Sequence, residues 1–316
     1  MVFLSQICFS QITTTKIVES KEKKSSKPYD SIQNFLGNDV YKYIGQDLYL
    51  KSKPESLRKF GYDIFLLDYT KNKFEKGNVY KCCDGYNSKY ETLASKYFQV
   101  LDVLKHPKAN QNEYLYGEKY YLKLKERETK DTVYFEYSAK HKRSFPFLVK
   151  GFYEKQKKKI IGEKIILTDK ILSETLNTDL LDISNREKII IKTGETWKCV
   201  DLTIEENFYS LAIVIENSKG NKTLIPFDKD YFHECYYNCN NKSVYSLTEA
   251  NKYIKKFGTS NFNLILKGKI KIGMTKEMIM LSWGEPKKIN RASYGDQWVY
   301  ENQYLYFKEG KLSSFN

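Results

Sequence analysis

The stretch from Gly268 to Phe315 constrains this chain more than any other, because it marks both ends of one helix and three strands after it. Thr275 stands at a helix N-cap position, Glu277 falls in the first turn, and Met278, Ile279, Leu281 and Trp283 follow as an apolar set. Gly284 and Pro286 then stop the helix: glycine suits the left-handed backbone of a helix end, and proline cannot continue a helix. Beyond a polar loop, Gln297 to Tyr300, Tyr304 to Phe307 and Leu312 to Phe315 are short aromatic-rich runs divided by turn residues, which predicts a three-stranded antiparallel meander. A second helix is expected just upstream, from Leu247 to Phe257. Ser246 and Glu249 form a capping box, Leu247, Ala250, Tyr253, Ile254 and Phe257 make one stripe, and Gly258 ends it.

Helix, helix, then meander, with Gly273-Met274-Thr275, Leu281, Trp283-Gly284-Glu285-Pro286, Trp298, Tyr300, Leu305, Phe307 and Gly310-Lys311-Leu312 in that order, resembles the small envelope domain called SmpA/OmlA, or BamE-like. Trp283 replaces the leucine that usually precedes the glycine of that pattern. The resemblance covers about 70 residues and implies a non-catalytic adaptor that binds another protein in a bacterial envelope. Taken alone, Gly273, Gly284 and Pro286 shape backbone, and Trp283 and Trp298 fill a core.

Between Tyr29 and Tyr245 one theme is stated twice. Ile44-Gly45-Gln46-Asp47-Leu48-Tyr49-Leu50 recurs as Ile161-Gly162-Glu163-Lys164-Ile165-Ile166-Leu167, Phe98 to Asp102 answers Trp197 to Asp201, and Thr132 to Phe135 answers Thr223 to Pro226. In each copy an apolar strand (Tyr121 to Lys125, then Leu211 to Glu216) runs into a turn and the next strand, a hairpin signature. Short strands and tight turns in this arrangement look like two small, strongly bent SH3-like β-barrels. The first copy carries inserts: a short helix at Pro54 to Phe60, a polar excursion from Lys71 to Leu93, and a turn-rich, mobile loop from His106 to Glu118. Phe145 to Phe147 reads as an edge strand and Lys155 to Lys159 as a solvated basic turn before the second copy.

The 27 Tyr and 18 Phe residues favour half-buried pleated surfaces and a strand-rich chain. A formal charge of +14 suggests an anionic partner, but only five of the 53 basic residues are arginine and the lysines are dispersed. Bidentate reading of phosphate or guanine favours arginine, so the charge argues against nucleic acid. Met1 to Ser10 is apolar and uncharged, and Cys8-Phe9-Ser10 offers small residues before a cut at Gln11. That resembles the end of a secretory signal without its basic start; a plain apolar terminus is the alternative. No stretch is long and apolar enough for a membrane span.

Chemistry is sparse. The histidines are His106, His141 and His233, and none of the common nucleophile, phosphate-loop, dinucleotide or zinc-protease motifs is present, so no catalytic residue and no cofactor is expected. The acids Asp63 and Asp68, or Glu205 and Glu206, are not recognisable as a catalytic pair. His233, Cys235 and Cys239 are the best metal candidates, three soft ligands lacking a fourth; a Cys235–Cys239 disulfide is the competing reading. Adjacent Cys82 and Cys83 are expected to find distant partners or stay reduced, and Cys199 to be a buried free thiol.

These readings converge on an α+β chain, mostly β: a leader and linker over 1–28, SH3-like modules over 29–157 and 158–242, and a helix-helix-meander domain over 243–316. The function expected is that of a non-catalytic exported bacterial protein of the periplasm, envelope or medium that binds a protein or an envelope component. The alternatives are an SH3-like receptor for wall peptide or glycan, an enzyme using the His233 loop, and a cytoplasmic location.

Overall fold

The computed structural model describes residues 29, 31–171, 180–205, 210–228, 241–293 and 295–316. The chain is α+β with strands predominating, and it divides into two compact units, the first reaching Lys155 and the second running from Gln156 to Glu205 and from Ser210 to Asn316. The expected leader at Met1 to Ser10 lies outside the described residues, as do His233, Cys235 and Cys239. Among the described residues no helix is long and apolar enough to cross a membrane.

The first unit contains strands β1 (Asp47–Leu50), β2 (Phe65–Leu66), β3 (Cys82–Asp84), β4 (Asn87–Ser88), β5 (Tyr97–Lys105), β6 (Lys119–Glu126), β7 (Thr132–Ser138) and β8 (Phe147–Val149), with short helices α1 (Glu55–Arg58), α2 (Tyr90–Leu93) and α3 (Glu113–Tyr116) in the inserts. Six strands form one antiparallel sheet in the order β2-β7-β6-β5-β1-β8. Alternation decides its faces: Val133, Phe135 and Tyr137 of β7 point into the core, as do Phe98 and Val100 of β5. Phe65, Phe98, Phe135 and Phe147 meet there with ring centroids 5.1 to 6.0 Å apart.

The second unit opens with the end of α4 (Lys150–Ile160), a helix that runs across the division between the units, followed by β9 (Lys164–Leu167), β10 (Leu180–Leu181), β11 (Lys188–Ile189), β12 (Thr196–Glu205), β13 (Ser210–Glu216), β14 (Lys222–Pro226) and β15 (Val244–Ser246). Its sheet has the order β14-β13-β12-β9-β15, which is β7-β6-β5-β1-β8 repeated. The registers agree as well. Leu48 opposes Phe98 as Ile165 opposes Trp197, and Tyr49 opposes Leu148 as Ile166 opposes Tyr245. A bulge falls between Val100 and Asp102 in β5 and between Cys199 and Asp201 in β12, where each aspartate accepts the next residue's amide. Gly45 donates to the Val100 carbonyl as Gly162 does to that of Cys199.

Closed barrels were expected; both sheets are open. Closure would need the free edges of β7 and β14, and an insertion occupies each of them. In the first unit β2 pairs with β7 (Phe65 opposite Phe135). In the second, Ile183 donates to the Lys222 carbonyl and buried Asp182 accepts from the Lys222 amide.

The C-terminal elements are α5 (Leu247–Phe257), α6 (Thr259–Leu266), α7 (Lys276–Trp283) and strands β16 (Lys288–Ala292), β17 (Gly295–Val299), β18 (Tyr304–Lys308) and β19 (Lys311–Phe315), the last four forming an antiparallel meander. Both N-caps form, Ser246 Oγ accepting from Glu249 N at 3.2 Å and Thr275 Oγ1 from Met278 N at 3.3 Å, but the Glu249 carboxylate, expected to complete a capping box, pairs with Lys242 at 2.7 Å instead. Two elements are additional to the sequence reading, α6 and the edge strand β16, whose five residues are all exposed and so show no alternation. The predicted basic turn at Lys155 to Lys159 is instead part of α4, with Phe152, Tyr153, Gln156 and Ile160 as its buried positions. Gly151, in the first turn of that helix, sits so close under Tyr29 that a Cβ there would lie 2.6 Å from the tyrosine's. Trp298, Leu305, Phe307 and Leu312 pack with Ile279, Leu281, Phe262 and Met274 in one core that also takes in Ile166 and Tyr245 of the five-stranded sheet. The boundary expected after Lys242 therefore falls beside a strand, β15, that pairs with β9.

Candidate functional site

A cleft of about 590 Å³ opens in the second unit where five element ends converge. Thr168 to Lys170 follow β9; Asn241 and Lys242 precede β15; Ile265 to Gly268 end α6; Ser282 and Trp283 end α7; and Tyr300 to Gln303 turn between β17 and β18. Backbone bonds hold these ends together. Asp169 N donates to Leu266 O at 3.0 Å, Asn241 N to Leu281 O at 3.1 Å, and Thr168 N to Ser243 O at 3.0 Å.

Aromatic side chains make one wall. Trp283 Nε1 donates to Gly268 O at 2.8 Å, its ring stands edge-on to Tyr300 at 5.4 Å, and Tyr300 Oη donates to Gly284 O at 2.8 Å. Both polar tips are thus spent on backbone carbonyls, which sets the ring orientations before any ligand arrives. Burial, with the Glu285 charge adding to it, holds the Tyr300 phenol well above its usual range, so it stays a donor.

Apart from Ile265, Leu266 and Gly268, the rest of the lining is polar and nearly balanced in charge. Lys170, Lys242 and Lys267 share the lining with Asp169 and Glu301, but Lys242 is paired with Glu249 at 2.7 Å and Glu301 with Lys287 at 2.8 Å. The hydroxyls of Thr168 and Ser282 donate to Lys242 O at 2.9 Å and Lys269 O at 3.0 Å, so neither is poised as a nucleophile. What the cleft presents is an oriented aromatic wall with amide, carboxylate and ammonium groups around it.

The first unit gathers charge elsewhere. Glu136 of β7 receives Tyr121 Oη at 3.2 Å and Lys73 Nζ at 3.3 Å, and Lys119 Nζ and His106 Nε2 lie 3.5 and 3.9 Å from it. His106 stacks on Tyr116 at 4.3 Å, and its Nδ1 accepts from Lys108 N at 3.1 Å, which leaves the ring proton on Nε2, facing the carboxylate. Burial lowers the His106 pKa; Glu136 opposes that, and Lys119, Lys73 and Lys108 add to it. The loop expected to be mobile, His106 to Glu118, is anchored through this cluster and carries α3, capped by Asn112.

Other sequence candidates are dispersed. His141 bonds Ser138 Oγ at 2.9 Å on the surface, and Asp68 caps its own turn through Thr70. Cys199 is buried and free as expected, its thiol pushed up to about 12 by desolvation and then by Glu163. Cys82 and Cys83, expected to find distant partners or stay reduced, lie side by side in the β3–β4 hairpin, whose register shifts between Cys82 and Asp84. Among the described residues no group of His, Cys, Asp or Glu could hold a metal ion. Sequence reasoning treated Trp283 and Tyr300 as core and strand residues and passed over Asp169, Lys170 and Lys267, because no local pattern unites residues from five separate element ends. Comparison with family models, curated proteins and solved structures finds no match for this chain, so the cleft is interpreted from its own geometry.

Proposed function

We propose that the protein is a non-catalytic binding protein of a bacterial envelope, in which the second-unit cleft seats a polar, extended ligand of the wall-glycan or wall-peptide class. The observation that carries this is the Trp283–Tyr300 wall, held by hydrogen bonds to Gly268 O and Gly284 O and surrounded by Asp169, Asn302, Gln303 and Lys267. Oriented aromatic faces stack on sugar rings, while amides and carboxylates bond hydroxyls and peptide groups. The repeated five-strand order, each copy bent by a bulge at the same register, supports reading the two sheets as duplicated SH3-like modules. The capped helices and the meander support the BamE-like reading of the C-terminal part. A partner protein is a second reading, favoured by the outer meander face, where Tyr304 and Tyr306 are exposed beside the Asn290–Gln297–Tyr306 hydrogen-bond ladder.

The test is calorimetric titration of the full-length protein with a chitin tetrasaccharide and a muramyl peptide, wild type against Trp283→Ala. Binding that weakens at least tenfold in the variant, with the fold intact by circular dichroism, supports the cleft. No binding of either probe by the wild type, or equal binding by both proteins, overturns it.

A further inference from the structure

We propose that the tip of the first unit, formed by Phe60, Phe74 and Tyr86, docks the protein on an anionic lipid bilayer. These aromatics are 53%, 66% and 64% exposed, and each stands on a separate short loop rather than on a packed strand face. They are neighbours: Asn87 Nδ2 donates to Phe60 O at 2.8 Å, Tyr86 precedes Asn87 at the β3–β4 hairpin, and Lys76, two residues beyond Phe74, lies over the Tyr86 ring at 6.0 Å. Leu57, one turn before Phe60, is also exposed.

The charge around this tip fits a negatively charged surface. Residues 53–89 hold eight basic and five acidic side chains. Lys59, Lys71 and Lys76 have exposed side chains without an ion pair among the described residues, while Lys73 is held by Glu136. Lysine next to an exposed ring suits a bilayer interface, because the aliphatic stem lies along the apolar zone while the ammonium reaches headgroup phosphates, and the aromatic ring enters the boundary. A nucleic-acid strand is the weaker fit. Its recognition favours arginine forks, and the one arginine here, Arg58, lies over Tyr90 and donates to Lys53 O. A glycan in the cleft is a separate matter, since the tip and the cleft share no residue.

Co-sedimentation of the full-length protein with vesicles of phosphatidylglycerol and phosphatidylcholine (1:1), against phosphatidylcholine alone, tests the proposal. The expected result is binding to the anionic vesicles only, weakened severalfold by a rise from 50 to 300 mM salt, on the order expected from screening. It should fall at least tenfold in the F60S/F74S/Y86S variant and in the separate charge-reversal variant K59E/K71E/K76E, and be unchanged in Trp283→Ala. The second variant covers the case in which the first does not fold. Equal binding to both vesicle types, no binding to either, or wild-type binding by a folded tip variant would overturn it. So would a single-stranded oligonucleotide that binds through the same residues when vesicles do not.

Discussion

Glu126 has no exposed side-chain surface, yet it stays charged because the β6–β7 turn is wrapped around it. Burial pushes its pKa up, but the Thr129 hydroxyl, the Glu128 and Thr129 amides and Lys81 together hold it below the ordinary carboxylate range. A depressed carboxylate pKa contributes stability above the unfolded value of 4.5 that is lost as pH falls through the folded value. Glu126→Gln should therefore cost about 1–3 kcal/mol at pH 7, since an amide NH₂ would face a buried donor, and urea unfolding should show the gap narrowing below pH 4.5. Asn217, at the matching place in the second sheet, closes its turn with a neutral amide that accepts from Lys219 and Asn221. His106 shifts in the same direction, although here the favoured deprotonated form is the neutral one. Its folded pKa is lowered, so the neutral ring contributes stability above 6.5 that is lost as pH falls through the folded value. An NMR titration of the His106 ring should place its midpoint below 6.5, and a midpoint above it would contradict the burial argument.

At the scale of elements, local chemistry and packing separate. The Ser246 cap on α5 is a local device, legible from Ser246 and Glu249 alone, and Ser246→Ala should lower stability by about 1 kcal/mol in chemical denaturation of the whole chain. Trp298 on β17 is different: its partners are Phe307 at 4.7 Å and the helices that cover the meander. Trp298→Ala should cost about 3–5 kcal/mol, seen as a lower midpoint for the second unit in calorimetry. If Trp298→Ala melts like the wild type, the tryptophan is not part of that core. The strands β5 and β12 were legible through their repeated residues, whereas β16 was not, because an edge strand exposed on both faces has no alternation to read. Helix α4 was missed for a related reason. Its lysines read as solvated charge, and only the positions of Phe152, Tyr153, Gln156 and Ile160 on one stripe reveal a helix.

Across the whole molecule, the division lies between Lys155 and Gln156, and the C-terminal helices and meander belong with the second sheet. Ile166 of β9, Tyr245 of β15 and Phe262 of α6 share one core, so a 243–316 fragment would lose the partner of β15 and part of its own interior. Such a fragment should melt without a cooperative transition, while 156–316 should melt as one; a sharp transition from the shorter piece would restore the boundary after Lys242. From the sequence alone came the strand-rich α+β class, two helix caps, the meander after Pro286 and four matched strand segments in each of two copies, all read from short local patterns; the fifth match, β8 with β15, came only from the sheet order. Tertiary structure alone decided that the sheets stay open, because β2 and the Asp182 turn reach the β7 and β14 edges from distant inserts. It also decided the cleft. Asp169, Lys267, Trp283 and Tyr300 lie on four separate stretches of chain, and only the packing of β9, α6, α7 and the meander brings them to one place.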